Sequence, residues 1–589
     1  MKTIALISGG KDSILSVLLA LRYGYQPVVV ANIAPTCSAG PEHVHEIDSY
    51  SFQTVGHEVV QSIGACMQLP LRRAYIRAGQ SKVQELHYTR ERDDEDEIEC
   101  LYRLLRSIKE EFPEVEGVTT GAILSHYQRY RVEDVCERLG ISSIAFLWQR
   151  PADEVLDMAS ALRVRAILVK TASIGLNPRT HLGKTLQDVR PALEKAEQLY
   201  GTHSAGEGGE FETIVLDCPL FKEQCLEVVA LEPVIVDDNE YSPSGHALLK
   251  VKLRDKTSEE RDADTDLLRK LPTLVFPSDH MAHLPSPERM LQVFTGPMEP
   301  AACSIPSEDN TSFWSCACDV YNSEPLTTED SVECCSEGVL QQVVEDMARK
   351  SREVFFLLVL APSVRHASAF YHAFGRLFPD VKPPGCTFVE RSELLALRVE
   401  ALSAPRCSIN RSAMHMRSIS CFAAASMGPY SLVNAVTVGN ERRTLVSGCI
   451  GLVPVTQLLA TADEMPELLS IPLSSVCGVL SVEEDLLRAF IAQFAFMYAN
   501  SVAGLSHFGA DGTTPTHATF LLRDMRFTPL LSPLWQWCTN SPTRLVPWAD
   551  SQTCALGDGL VCRVFKVTQL QSCAMVGVIL ERRAPRLDD

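Results

Sequence analysis

The apolar run Thr3-Ile4-Ala5-Leu6-Ile7 ends in Ser8-Gly9-Gly10-Lys11-Asp12-Ser13 and passes into the periodic apolar segment Ile14 to Leu21. That order predicts a strand, a glycine turn and a helix start. Adjacent glycines let the backbone turn sharply and approach a ligand closely, and the first turn of a helix presents unpaired N–H groups with partial positive charge. Such a junction suits phosphate. Asp12 and Ser13 could also serve as ordinary capping residues.

From Met1 to about Val236, β-type runs alternate with helical patterns. The strand candidates are Thr3–Ser8, Pro27–Ile33, Gly117–Leu124, Ser143–Trp148 and Ala166–Thr171. Their spacing leaves room for crossover helices, which predicts a Rossmann-like parallel sheet with helices on both faces. Ligands gather at the carboxyl ends of such strands, here Ser8-Gly9-Gly10, Ala31-Asn32 and Leu124-Ser125. The acidic stretch Arg90 to Glu99 reads either as a solvated helix start or as a substrate or Mg²⁺ contact. Gly183-Lys184-Thr185 is no Walker A loop, because Pro178 stands where that motif needs glycine; Lys184 remains a candidate phosphate contact. Gly206-Glu207-Gly208-Gly209-Glu210-Phe211-Glu212-Thr213 is poor core material. It is either a surface loop or a source of carboxylates for a metal or an amine.

The chain has 589 residues, which suggests about three or four domains. Residues 1–236 read as the ligand-binding domain and 237–288, rich in Asp, Glu, Lys, Ser and Pro, as a linker. Residues 289–405 and 415–585 read as two copies of one α+β unit. The formal net charge of −20 disfavours non-specific binding to nucleic acid or anionic membrane. Twenty scattered cysteines without a signal-peptide pattern predict reduced thiols and a cytoplasmic location. Cys316-Ala317-Cys318 and Cys334-Cys335 lack zinc spacing, and the longest apolar run, Val354 to Ala361, is too short to span a bilayer.

SGGKDS resembles the pyrophosphate-binding loop (PP-loop) of the ATP pyrophosphatases, of the adenine nucleotide alpha-hydrolase type, which cleave ATP between its α- and β-phosphates. Gly428-Pro429-Tyr430-Ser431 and Ser447-Gly448-Cys449-Ile450-Gly451-Leu452-Val453-Pro454 resemble the reactive-intermediate deaminase (Rid) family. The substrate arginine of that family is missing at Pro383-Pro384-Gly385-Cys386-Thr387. It is missing again near Val546-Pro547-Trp548, where Arg544 is displaced. Packing, self-association or partner binding is therefore the expected use of these degenerate units. A PP-loop domain followed by two Rid-like units resembles the long eukaryotic form of the diphthine–ammonia ligase family. Further motifs support this: Asp48 to His57, Gly121 to Ser125, Tyr127-Gln128-Arg129, Arg131-Val132-Glu133, Leu147 to Arg150, Leu182 to Thr185, and Gly206 to Thr213 with Leu216 to Leu220. His126 stands where that family would have an aspartate.

The resemblance implies ATP-dependent amidation of diphthine on elongation factor two to diphthamide. It would proceed through an acyl-adenylate, with ammonium as nitrogen source and AMP and pyrophosphate released. Ser8, Gly9, Gly10, Lys11, Asp12 and Ser13 would hold the phosphates, with Asp12 also linked to Mg²⁺. Ala31, Asn32, Gly121, Ser125 and Arg131 would complete the ATP site. Catalysis would fall to Lys11, Asp12, Glu207, Glu210 and Glu212. Asp48, Tyr50, His57, Trp148, Lys184, Gly208 and Gly209 would contact substrate. Trp148 also reads as core, and His57 and Asp48 as caps or filler. A tRNA-modifying PP-loop enzyme, a Rid-type deaminase and a non-catalytic nucleotide-binding scaffold are the competing readings. The first would want a basic surface or a CxxC pair, the second its arginine, and an intact SGGKDS speaks against the third.

Overall fold

The computed structural model describes residues 1–35, 55–76, 95–279, 284–285, 318–326, 331–379, 382–508, 515–539, 545–547 and 560–585. It divides into two compact units, Met1–Ala282 with Ser418–Phe422, and His283–Arg417 with Ala423–Asp589.

The first unit is built on a five-stranded sheet. Its strands are β1 (Lys2–Leu6), β2 (Gln26–Pro35), β3 (Leu71–Ile76), β4 (Val115–Thr119) and β5 (Ser142–Ile144), ordered β3-β2-β1-β4-β5. All pairings are parallel. Helices α1 (Lys11–Arg22), α2 (Val60–Met67), α3 (Glu97–Glu111), α4 (His126–Leu139) and α5 (Ala152–Ala161) lie along this part of the chain. The strand order reverses between β1 and β4, so a crevice opens at their carboxyl ends, where such folds collect ligands.

Local chemistry sets the helix ends. Asp96 accepts the Ile98 N–H at 2.8 Å and so caps α3. Behind it, Glu99 pairs with Arg138 through two bonds of 2.7 Å. The described end of the acidic stretch is thus a helix start, and residues 90–94 lie outside the described residues. Ser125 caps α4 through the Gln128 N–H at 3.2 Å, and Gly140 closes the helix with φ +62°.

Two expectations are corrected. The strand expected at Ala166–Thr171, β6 (Arg165–Thr171), is not in the parallel sheet. It pairs antiparallel with β7 (Phe211–Asp217), in a second sheet ordered β7-β6-β9-β8. Nor is 237–288 a linker with only short structure. It holds the end of β8 (Gln224–Asp237), all of β9 (Ser244–Asp255) and a capping-box helix, Ser258–Lys270. Polar composition there reflects a hairpin with long solvated stretches, whose alternation is too irregular to read as strand. Near the end of this region, the Asp279 carboxylate is 1% exposed and bonds Arg150 and Arg22, both at 2.6 Å.

The second unit repeats one order of elements. In the first copy, helix Ser331–Arg349 precedes β10 (Arg352–Ala361), helix Ala367–Leu377, β11 (Gly385–Glu390) and β12 (Arg398–Pro405). Here β11 runs parallel to β10 and β12 antiparallel. In the second copy, helix Glu484–His507 precedes β13 (His517–Leu522), helix Leu531–Thr539, β14 (Leu560–Lys566) and β15 (Val576–Pro585), with the same pairing senses. One apolar core includes Phe356 and Leu358 from the first copy and Val436, Leu445 and Ile579 from the second. The copies therefore form one packed body. Helix Glu484–His507 is long and apolar enough to cross a membrane, but most of it is buried against protein.

Burial, more than the opposing pull of Glu581 and with a further push from Arg583 and Arg443, holds His517 in this unit down to about 4. The unfolded histidine titrates near ~6.5. The native state thus binds fewer protons between these values, so stability should fall as pH drops from ~6.5 to about 4 and level off below. Urea unfolding followed across that window checks this, and a His517→Gln chain should have a flatter profile.

Candidate active site

The carboxyl end of β1 runs into the glycine turn, and Gly10, in extended conformation, is the N-cap of α1. Having no side chain, Gly10 gives the helix no side-chain cap. The first amides of α1 are thereby left for other partners, and one is used at once: the Lys11 N–H donates to Thr213 Oγ1 at 3.0 Å. The Val215 N–H donates to the Gly9 carbonyl at 2.9 Å. These bonds stitch the turn to β7, so the acidic loop that precedes β7 faces the turn although some two hundred residues separate them.

A cavity of about 470 Å³ lies between them. Ser8, Gly10, Lys11, Asp12, Ser13, Asn32, Gly121, Ser125 and Arg131 line it together with Glu207, Gly208, Gly209 and Glu212. Thr120, Gln128, Lys170, Phe211 and Thr213 also line it, without having been picked out as individual site residues. Thr213 was visible only as the last letter of the acidic motif, and nothing in one sequence marks a strand threonine as a backbone acceptor.

Lys11 is buried, not exposed as its place in a loop suggests. Its ammonium bonds Asp12 at 2.9 Å and the Ala205 carbonyl, and stands 5.1 Å from the centre of the Phe211 ring. Asp12 Oδ1 is buried with no hydrogen-bond partner, a hard oxygen on a residue that lines the cavity. Glu207 Oε1 accepts three successive backbone N–H groups, from Ile123 at 3.0 Å and from Leu124 and Ser125 at 2.8 Å. Burial raises its carboxyl above the usual range, against the pull of those amides. Glu212 accepts the Val55 N–H at 3.0 Å and lies 3.7 Å from Lys170. Arg131, 1% exposed, stacks on Tyr127 and bonds its carbonyl at 3.3 Å.

Five expected residues lie off the cavity lining. Gly9 sits behind the turn, where a Cβ would meet Ile214 at 3.0 Å. Ala31 is buried inside β2. Glu210 turns away to accept the His203 N–H at 2.8 Å. Lys184 is exposed, its carbonyl bonded to the Leu168 N–H of β6. Trp148 is core: its ring lies 4.2 Å from the Arg129 guanidinium and 5.0 Å from the His126 ring. Asp48, Tyr50 and the side chain of His57 lie outside the described residues.

Gly121 brings β4 against the PP-loop, and a Cβ there would fall 2.9 Å from the Asp12 carbonyl carbon and 3.0 Å from the Ser13 nitrogen. Gly121→Ala should therefore push the two loops apart, costing about 1–3 kcal/mol of stability. Nucleotide affinity should fall with it. Thermal unfolding and an ATP titration read both effects; unchanged affinity would mean that the loop is not held by this approach.

The diphthamide synthase N-terminal domain model matches residues 1–143, and the diphthamide synthase C-terminal domain model matches residues 151–242. The diphthine–ammonia ligase of Schizosaccharomyces pombe is 32% identical over 80% of this chain and 76% of its own length. The chain belongs to the diphthine–ammonia ligase family. The Saccharomyces cerevisiae diphthine–ammonia ligase is 32% identical over 83% of this chain and 74% of its own. The human one is 43% identical over 44% of this chain and 96% of its own, so it is matched nearly whole by 263 residues. Among solved structures, RidA from a Psychrobacter bacterium is 18% identical, covering 28% of this chain and 94% of its own, with a TM-score of 0.17. A chorismatase is 10% identical, covering 45% and 73%, with a TM-score of 0.29. As a diphthine–ammonia ligase family member the chain is an enzyme of diphthamide synthesis, and the cavity just described lies within the span of the two matched domains.

Proposed function

We propose that the chain uses ATP to amidate diphthine on elongation factor two, forming an acyl-adenylate that ammonia, released from ammonium by loss of a proton, attacks, with AMP and pyrophosphate as products. One observation carries this reading: a helix start without a side-chain cap and a buried lysine line one cavity together with the carboxylates of Asp12, Glu207 and Glu212. A carboxylate does not condense with ammonia at neutral pH because its oxygen leaves poorly. Adenylation bonds that oxygen to the α-phosphorus as pyrophosphate leaves, so that it can depart as part of AMP, and the negative charge that moves to pyrophosphate needs fixed positive partners. The amides at the start of α1, with Ser8 and Ser13, suit the β- and γ-phosphates, and Lys11 supplies the full charge. Glu212 and Glu207 line the same cavity and would meet a cationic trimethylammonio group or ammonium.

Mg²⁺ fits this site. Asp12 Oδ1 is a buried oxygen without a partner, and among the described residues no cluster of three or more His, Cys, Asp or Glu forms a protein cage. A single carboxylate with phosphate oxygens and water is the ordinary Mg²⁺ arrangement, and the ion would neutralise phosphate charge. The net charge of −20 would steer the chain toward the cationic neighbourhood of diphthine. The twenty scattered cysteines favour a reducing, cytoplasmic location.

The test is to incubate the protein with ATP, ammonium and diphthine-bearing elongation factor two. AMP, pyrophosphate and the small mass decrease of exchanging OH for NH₂ are expected. ADP as the product, or AMP formed only when tRNA is added, would overturn the reading.

A further inference from the structure

Five residues of the first unit come from far along the chain. Ser418–Phe422 folds with residues 1–282, and Ser418 lies 275 positions beyond its neighbour Ser143. The segment extends the parallel sheet past β5: the Ile419 N–H donates to the Ser143 carbonyl and the Ala145 N–H to the Ile419 carbonyl, both at 2.8 Å. It thereby covers the edge of β5, which would otherwise present unpaired backbone groups.

Its two ends grip two helices. At one end the fully buried Ser418 donates twice to Glu133 Oε1, from its N–H at 2.8 Å and its hydroxyl at 2.7 Å. Ser418 Oγ also lies 2.9 Å from Ser143 Oγ. Glu133 is 4% exposed and on α4, where it also bonds Arg129 at 3.0 Å. Two residues earlier on α4 is Arg131, which lines the cavity, and the amides leading into the same helix hold Glu207. At the other end Cys421 Sγ lies 3.3 Å from the hydroxyl of Tyr23, the residue that closes α1. The helices gripped by this segment are the two whose N-termini form the cavity.

We propose that Ser418 and Glu133 are positioning residues for the nucleotide cavity, and that the 418–422 segment sets the placement of α4 and so of Arg131 and the Glu207-binding amides. The proposal rests on reading that cavity as the ATP site. A buried carboxylate is satisfied only when its partners are all in place. Removing the hydroxyl leaves Glu133 to recover a donor by shifting or by admitting water, and α4 moves with it. The human family member is matched over 96% of its length by 263 residues, so a counterpart this far along the chain is not needed for the chemistry itself. In this chain the segment tunes the site and takes no part in bond making.

The experiment compares Ser418→Ala with the wild-type full chain by ATP kinetics and by amide hydrogen exchange. The apparent KM for ATP should rise about tenfold, the scale of one lost hydrogen bond to a charged group, while kcat stays within about twofold. Exchange at Ile123, Leu124 and Ser125 should quicken as well. Glu133→Gln, which keeps the volume and removes the charge, should shift KM in the same direction, so the test does not depend on one variant folding. Faster exchange confined to Ser143–Ala145, with KM unchanged in both variants, would reduce the segment to an edge cover and overturn the proposal. Should the wild-type chain itself bind no ATP, the nucleotide reading fails, and exchange at 123–125 alone decides the positioning role.

Discussion

Lys11→Met should lower pyrophosphate release by about 10²–10³-fold, the usual loss when one fixed partner of developing charge is removed. Methionine is the informative replacement because Lys11 is 2% exposed: alanine would open a cavity, whereas methionine keeps most of the stem. Two groups lose their partner, the Asp12 carboxylate and the Ala205 carbonyl. A stability loss of about 1–3 kcal/mol should accompany the change, too little to unfold the unit. Single-turnover pyrophosphate release and thermal unfolding of the same preparation separate the effects. A folded Lys11→Met chain with wild-type release would remove the lysine from the mechanism.

Asp279→Ala should destabilise the first unit by about 3–5 kcal/mol, because it takes a shared carboxylate from two buried guanidinium groups, removing the ion pair of Arg22 and one of the two that Arg150 holds. Arg150 and Arg22 each bond this carboxylate at 2.6 Å, and the Phe276 N–H adds a bond at 2.8 Å. Arg150 keeps Glu154 as its other partner, and Glu154 also takes the Ser278 N–H at 3.1 Å. Burial by itself would raise the Asp279 carboxyl, but Arg150, the Phe276 amide and Arg22 outweigh it and hold the group below its ordinary value. A carboxyl lowered in the native state contributes stability above its unfolded pKa of ~3.9 and loses it as pH falls through the folded value. Urea unfolding at neutral pH should therefore show the full difference between variant and wild type, and the gap should close in acid. Equal stability at pH 7 would mean that the two arginines find other partners.

Both residues had a readable context, and they were legible to different degrees. Lys11 stands in a hexapeptide whose glycines, hydroxyls and charge announce a phosphate site. Its burial could not be seen, because that comes from Phe211 and Ala205 in a loop about two hundred positions away. Asp279 sits in a stretch of linker-like composition, and composition averages over neighbours. One carboxylate that two distant arginines hold in the interior leaves no trace in such an average. The misplacement of β6 has a similar origin. An apolar run bounded by helices reads the same whether its partner is parallel or antiparallel, and the choice was made by β7, which comes forty residues later.

Among the acidic residues, pattern identified the loop and geometry sorted its members. Glu207, Glu210 and Glu212 are alike as letters. Glu207 meets three amides ahead of α4, Glu212 faces Lys170 and the cavity, and Glu210 turns back to the His203 N–H. Trp148 likewise belonged to a motif, yet it packs against Arg129 inside the fold.

By itself the amino-acid order determined the local events: the strand, turn and helix at SGGKDS, the caps at Asp96 and Ser125, the alternation that makes a doubly wound sheet, and the repeated α+β order of the second half. Each depends on contacts within a few residues or on short periodicity, so a linear pattern suffices. The tertiary structure alone decided which carboxylate faces which amide, how deep Lys11 lies, and that residues 418–422 cover the edge of β5 and grip Glu133. Those outcomes join positions that are distant in the chain, and their energies exist only once the intervening chain has brought both partners out of water.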